Sequence, residues 1–136
     1  MTTSYRLRVA GAAAMCLAAA CAGRTHPAGL QRARVERLYF GRNIGDTALV
    51  SDSAWTAFAR DVLTPAFPEG ATVLDAAGQW RAPDGTTVRE RSVVVELVVL
   101  ATPDVEARVQ RVMDAYKRRF VQQSVLRLVT DAWASY

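Results

Sequence analysis

The chain has 136 residues, enough for a leader and one small domain but not for two domains. Its formal net charge is +4, and Arg6 and Arg8 lie in the N-terminal leader described below, so the mature chain keeps only a small surplus of basic residues over its 13 acidic ones. Nucleic-acid binding usually requires a clustered basic face rather than a mild surplus. We therefore predict no nucleic-acid partner.

The N-terminus has the pattern of an export signal. Arg6 and Arg8 precede an apolar stretch that runs from residue 9 to residue 20 and ends in small residues before Cys21. The stretch is shorter than the roughly 20 residues that a transmembrane helix needs. We predict a lipoprotein signal peptide over residues 1–20, lipidation of Cys21 and a membrane-anchored location at the cell envelope. Because Ala18 stands where a leucine is usual, ordinary cleavage at an Ala-x-Ala site is the alternative.

The predicted domain contains neither cysteine nor histidine. Cys16 and Cys21 lie in or at the end of the leader, and His26 lies in the flexible tether that we predict for residues 21–33. A histidine triad, a multi-histidine zinc site and histidine haem ligation are therefore excluded from the domain. We predict no metal and no cofactor, so any chemistry must use carboxylates, arginine, tyrosine, serine or lysine.

Hydrophobic periodicity predicts six elements between residues 34 and 136. A first strand covers residues 35–40, and residues 41–50 form a loop. A helix begins after Ser51 and ends at Pro65. Strands over residues 72–81 and 87–100 form a hairpin, and a second helix starts at Thr102 and Pro103, with an apolar stripe from Val105 to Phe120. A last strand covers residues 124–130, and the tail through Trp133 and Tyr136 packs on the sheet edge.

The order βαββαβ predicts an α+β fold of the ferredoxin-like class, with a four-stranded antiparallel sheet and two helices on one face. Strands one and three are central in that topology, which agrees with the apolar run from Val93 to Leu100. A strand that is apolar on both faces usually has both faces covered. We therefore expect a second copy of the chain, as a homodimer, or another partner on the face without helices.

Several segments of the domain resemble domain-of-unknown-function family 3574. They are residues 38–41, the helix around Trp55, residues 64–70, residues 73–75 and 78–81, residues 116–120 and residues 122–126. The resemblance covers nearly the whole mature domain. It implies a bacterial protein that often carries an export or lipoprotein leader, and it implies no established activity.

A two-residue hairpin turn at Asp84–Gly85 would place Trp80 opposite Arg89. The same register makes Asp75 and Glu96 diagonal neighbours, roughly 7 Å apart, on the face away from the helices. A covered carboxylate there could serve as a general acid or base, and Arg81 or Arg37 could bind an anion. The alternative is that these charges form ion pairs on a solvated or dimeric face. The catalytic candidates are Asp75, Glu90, Glu96 and Arg81.

Three further residues are candidates for ligand binding. Trp80 and Arg89 would form a cation–π contact at the hairpin end, which a ligand could also use. Tyr116 begins a basic cluster through Arg119 at the end of the second helix, where cations stabilise the helix dipole or contact anionic lipid headgroups.

The sequence favours a lipid-anchored interaction module that self-associates through its sheet, with an unknown protein or small-molecule ligand. The alternative is a small cofactor-free enzyme of the lyase, isomerase or monooxygenase kind, which rests on fold analogy.

Overall fold

A computed structural model describes residues 28–45, 48–100 and 102–135 of the chain. The predicted signal peptide, Cys21, His26 and most of the predicted tether lie outside the described residues, as does Tyr136. In chain order the elements are β1 (Gln31–Gly41), β2 (Asn43–Ile44), β3 (Ala48–Leu49), α1 (Asp52–Phe58), a π-helical segment (Ala59–Leu63), α2 (Thr64–Ala66), β4 (Thr72–Arg81), β5 (Thr87–Leu100), α3 (Val105–Phe120) and β6 (Leu126–Ala134).

The main sheet has four strands in the order β4-β5-β1-β6, and all neighbouring strands are antiparallel. The two central strands, β5 and β1, are the third and first strands of the predicted pattern. The α+β class, the four-stranded antiparallel sheet and the two helical regions are therefore confirmed, and the arrangement is consistent with a ferredoxin-like fold.

The observed strand bounds match the predicted ones in the hairpin and differ from the predicted ones at the two ends of the domain. β4 and β5 have the predicted ranges. β1 begins at Gln31, within the predicted tether, and β6 continues to Ala134. These two extensions pair with each other, since Gln31 lies opposite Ala134 and Ala33 opposite Ala132. Each short polar or alanine-rich stretch becomes a strand because the other supplies its hydrogen bonds.

The first helical region continues beyond the predicted stop. The Ser51 hydroxyl accepts a hydrogen bond from the Ala54 backbone N–H and caps α1, as predicted. Pro65 does not end the helix but lies inside α2, directly after the π-helical segment. Proline lacks a backbone N–H and crowds the preceding turn, and a wider turn before it accommodates both effects.

The second helix, α3, starts at Val105 rather than at Thr102, with Asp104 at the N-cap position. It ends at Phe120, and the C-cap residue Val121 adopts a left-handed backbone conformation with φ of 53°. Its predicted apolar stripe is confirmed, because Val105, Val109 and Phe120 are buried along one side.

The core lies between the helices and one side of the sheet. The strands contribute Leu38, Phe40, Val93, Val95, Leu97 and Val99, and the helical regions contribute Trp55, Phe58, Leu63, Val105, Val109, Val112, Tyr116 and Phe120. The Phe40 ring lies 4.7 Å from the Tyr116 ring and 5.4 Å from the Trp55 ring, measured between centroids. This packed aromatic cluster fixes the helices on one face and leaves the other face of the sheet open.

The segment after β1 was predicted as a loop and instead contains the small β2–β3 ribbon. Arg42 is buried beside it, and its guanidinium donates to the Val50 carbonyl and to the Asp52 carboxylate at 2.6 Å. This hydrogen bond from Arg42 holds the pKa of Asp52 below its usual value. Arg42 therefore links the end of β1 to the start of α1.

Candidate functional site

The hairpin between β4 and β5 has a register one residue away from the predicted one. Its connection is a three-residue loop over residues 83–85, in which the Gly85 N–H donates to the Ala82 carbonyl and Gly85 has a φ of 89°. The Ala82 N–H in turn donates to the Thr86 carbonyl. This is a type I turn followed by a left-handed glycine, a common three-residue hairpin.

The changed register separates the predicted carboxylate pair, and that prediction is wrong. Asp75 lies opposite Val93, on the helix side of the sheet, whereas Glu96 lies opposite Thr72, on the other side. Asp75 is exposed on the edge strand. Because successive side chains of a strand point to opposite faces, a one-residue shift moves Asp75 from one face to the other.

The predicted contact between Trp80 and Arg89 is wrong for the same reason. Trp80 lies opposite Val88, and Arg89 lies opposite Gln79 on the other side of the ribbon. Arg81 lies opposite Thr87, beside the loop. The tip of the hairpin thus has an apolar side and a separate cationic side.

The side of the sheet away from the helices, which we call the open face, is largely apolar. Cross-strand pairing brings together Val35, Tyr39, Leu74, Trp80, Val88, Val94, Val98, Leu100, Leu126 and Leu128 on this side. Leu74, Leu126 and Leu128 are 52%, 57% and 46% exposed. Large exposed apolar patches on a soluble domain mark sites of interaction.

One ion pair lies near the centre of the open face. The Arg37 Nε donates to the Glu96 carboxylate, and the two residues are direct cross-strand neighbours on β1 and β5. This hydrogen bond raises the pKa of Arg37. The predicted candidate Glu96 is therefore engaged with an arginine and surrounded by apolar side chains such as Val94 and Val98.

The Glu90 side chain is held in one position at the end of β1. Its carboxylate accepts a hydrogen bond from the Asn43 backbone N–H at 3.1 Å. A Cβ atom on Gly41 would clash with Glu90 Oε1, so the missing side chain of Gly41 makes room for this carboxylate. The same short segment is fixed from the helix side, because the Gln122 side-chain amide donates to the Asn43 carbonyl at 2.6 Å.

Tyr116 belongs to the core. It is fully buried, and its hydroxyl donates to the Gly41 carbonyl at 2.8 Å. Burial raises the pKa of Tyr116 to about 12. The basic cluster that follows it carries ion pairs, with Lys117 bound to Asp114 and Arg119 lying 3.5 Å from Asp61.

Two open clefts share Arg91. One of about 300 Å³ is lined by Arg42, Leu49, Val50, Ser51, Asp52 and Arg91. The other, of about 360 Å³, is lined by Ala77, Gly78, Gln79, Arg89, Glu90 and Arg91. The second cleft brings together two of the predicted residues, Glu90 and Arg89, while Asp75, Glu96 and Arg81 lie elsewhere.

Sequence reasoning missed a buried charge network on the helix side. The fully buried carboxylate of Glu36 accepts two hydrogen bonds from the Arg127 guanidinium, at 2.7 and 2.9 Å. Arg127 also donates two hydrogen bonds to Glu106 on α3, which raise the pKa of Arg127 and lower that of Glu106. Glu36 shares its side of β1 with the core residues Leu38 and Phe40, because the three occupy every second position of the strand. This period of two was the signal in the sequence that Glu36 is buried.

Within residues 28–45, 48–100 and 102–135, no cluster of three or more histidine, cysteine, aspartate or glutamate side chains could hold a metal ion. None of the helices in the same ranges has the length and apolar character needed to span a bilayer.

Two solved structures have a similar fold. A phage SAM lyase in complex with S-methyl-5′-thioadenosine matches with a TM-score of 0.58 and 17% identity, over 76% of this chain and 90% of that one. A phage SAM lyase in the apo state matches with a TM-score of 0.56 and 17% identity, over 82% of this chain and 94% of that one.

No curated protein is significantly similar to this chain. The family model described as "Protein of unknown function (DUF3574)" matches residues 35–136, which is nearly all of the described domain. The resemblance seen in the sequence is thus confirmed, and the chain belongs to the DUF3574 family.

Proposed function

We propose that the domain is an interaction module that self-associates through the open face of its sheet. The observation that carries this proposal is the largely apolar surface of that face, with Leu74, Leu126 and Leu128 about half exposed. Burial of apolar area contributes roughly 25 cal/mol per Å², so covering this surface is strongly favourable. A second copy is the occupant that fits, because the surface extends over all four strands and has its charges near the centre.

The central ion pair supports a twofold arrangement. Arg37 and Glu96 carry opposite charges on adjacent strands. A twofold axis that lies in the plane of the interface and runs between these two strands would bring each charge of one copy near its opposite in the other. Such complementarity favours one orientation of the two sheets. The apolar residues around the pair, among them Val94, supply the contact area.

Substituting Leu74 by lysine tests this interface. Leu74 lies opposite Val94 on the open face, and the dimer would bury the new charge twice. We expect the dissociation constant, measured by sedimentation over a concentration series, to rise by about 100-fold or more. Val73→Lys is the matched control, because Val73 is the adjacent residue of β4, is 46% exposed and faces the other side.

The control should self-associate like the unchanged chain. Equal weakening by both substitutions would mean that the charge acts through β4 itself rather than through the open face. A chain that is monomeric at every concentration would refute the proposal.

We further propose that this module lies at the cell envelope, held on a membrane through lipidated Cys21. That part of the proposal rests on the leader sequence alone. Cys21→Ser should release the protein from the membrane fraction, and retention would contradict the anchor.

A second candidate function is a lyase that acts on S-adenosylmethionine (SAM). The similarity in fold to the phage SAM lyase favours it. The Glu90 carboxylate also favours it, because a hydrogen bond from the Asn43 N–H holds this group beside a cleft that Arg89 and Arg91 line. In this reaction a carbon–sulfur bond of the sulfonium breaks and its electron pair goes to sulfur, giving S-methyl-5′-thioadenosine. Glu90 would accept the proton lost from the carbon next to the broken bond, leaving an unsaturated amino acid.

Chromatographic detection of S-methyl-5′-thioadenosine after incubation with SAM tests this candidate. Glu90→Gln is the informative variant, because an amide oxygen can still accept from the Asn43 N–H but cannot take up the proton. We expect the variant to fold normally and to lose about 100-fold or more of the rate. Absence of product and of SAM binding in the unchanged chain would reject the lyase and leave the interaction module.

A further inference from the structure

The β4–β5 hairpin extends beyond the rest of the sheet. β1 pairs with β5 only as far as Ser92, so residues 77–91 form a two-stranded ribbon that we call the hairpin arm. The base of the arm is attached to the domain, since the Arg42 N–H donates to the Arg91 carbonyl and the Asn43 N–H donates to Glu90. Isolated two-stranded ribbons are marginally stable in water, so such an arm usually has a partner.

The two sides of the arm differ in chemistry. One side carries the cross-strand pair of Trp80, which is 53% exposed, and Val88. Glu90 lies on the same side at the base of the arm, where its carboxylate accepts a hydrogen bond from the Asn43 N–H. The other side carries the exposed residues Gln79, Arg81, Arg89 and Arg91. In the described part of the chain, none of these three guanidinium groups forms an ion pair. A ribbon that is apolar on one side and cationic on the other is suited to pack its apolar side against another surface.

The apolar side of the arm continues the open face. Trp80 has the same parity on β4 as Leu74, and Val88 has the same parity on β5 as Val94, with the pairs Ala76–Ser92 and Gly78–Glu90 between them on the same side. A molecule seated on the open face therefore also meets the apolar side of the arm.

The area of the open face explains why the arm is needed. Outside the arm, β1 has nine residue pairs with each of its neighbours and β4 has five residue pairs with β5. These residues of the four strands cover roughly 510 Å² at about 3.3 Å per residue and 4.8 Å per strand. Stable interfaces bury roughly 800 Å² on each partner. The five residue pairs of the arm add about 160 Å² on the same estimate, which raises the surface to about 670 Å² and nearer to that size.

We infer that the hairpin arm clasps a second copy of this chain, with Trp80 and Val88 packed against the partner's sheet. The inference rests on the proposed self-association and names the element that completes its interface. In a twofold dimer each copy contributes one arm, so both arms are buried together.

Paired substitutions on the two sides of the arm test this inference. The variant Trp80→Ser/Val88→Ser removes the apolar pair, and Gln79→Ser/Arg89→Ser removes the adjacent cross-strand pair on the cationic side. Sedimentation of the purified full chain and of both variants gives their dissociation constants. We expect the first variant to weaken the dimer by about 10- to 100-fold, since buried aromatic anchors dominate interfaces, and the second to leave it unchanged.

Hydrogen exchange of the unchanged chain provides a measurement that does not depend on the variants. Backbone amides of the arm should exchange more slowly above the dissociation constant than below it. If the chain dimerises but the arm amides and the first variant show no change, the arm inference is wrong and the self-association stands. If the unchanged chain does not dimerise, the proposed function and the arm inference both fail.

Discussion

Replacing Arg127 by alanine is expected to lower the free energy of unfolding by about 3–5 kcal/mol. The substitution removes both hydrogen bonds that the guanidinium donates to Glu36, whose side chain is completely buried. A buried carboxylate without its partner retains the full cost of desolvation. Among the described residues the nearest remaining cation is on Arg34, whose Nη1 lies 3.8 Å from Glu36. Urea denaturation followed by circular dichroism measures the loss.

The double variant Glu36→Leu/Arg127→Leu separates the cost of an unpaired charge from the value of the pair. Replacing both members of a buried ion pair by apolar side chains is often neutral or stabilising. We expect the double variant to recover most of the stability that Arg127→Ala loses. If the two variants are equally unstable, the network contributes through its packing and not through charge compensation.

Phe40→Ala is expected to cost about 3–5 kcal/mol of unfolding free energy. Phe40 is completely buried, and its ring lies within 6.1 Å of the rings of Trp55, Phe58 and Tyr116. The truncation leaves a cavity at the point where β1, α1 and α3 meet, and the large rings around it cannot collapse into it. The measurement is denaturant unfolding at a concentration low enough to keep the chain monomeric.

Tyr39→Ala is the matched control for this prediction. Tyr39 is the preceding residue of β1 and lies on the open face, opposite Val94. We expect a clearly smaller loss of monomer stability, because the ring is only partly buried in one copy. The same variant should weaken self-association, which Phe40→Ala affects only through folding. Equal losses of monomer stability would contradict the assignment of the two faces.

Local patterns predicted most of the fold. The alternating segments of β4 and β5 and the stripe of α3 were visible in the sequence because each element follows its own period over many residues. The extension of β1 to Gln31 was not visible, since residues 31–33 resemble a tether and become a strand only through pairing with the end of β6. Long-range pairing of this kind leaves no local signal.

The candidate site was harder to predict than the fold. Which residues of β4 share a face with Glu96 depends on hairpin register, and a turn of two residues and a loop of three give opposite answers for Asp75. Pro83 before Asp84 and Gly85 was the signal for the longer connection, because proline favours the second position of a type I turn. The position of the Glu90 carboxylate against Gly41 depends on contacts between segments that are distant in sequence, and hydrophobic periodicity does not predict such contacts.

The three-residue loop at the tip of the hairpin has an evolutionary consequence. The number of residues in that loop sets which side of the sheet each β4 side chain faces. Deletion of a single codon would therefore move every β4 side chain to the opposite side of the sheet. Leu74 and Trp80 would then turn towards the helices, and Asp75 and Arg81 would turn outward. We therefore expect homologues to keep the length of this loop and the left-handed glycine at its third position, while the other two residues vary. A change of length by one would signal a homologue with a different partner.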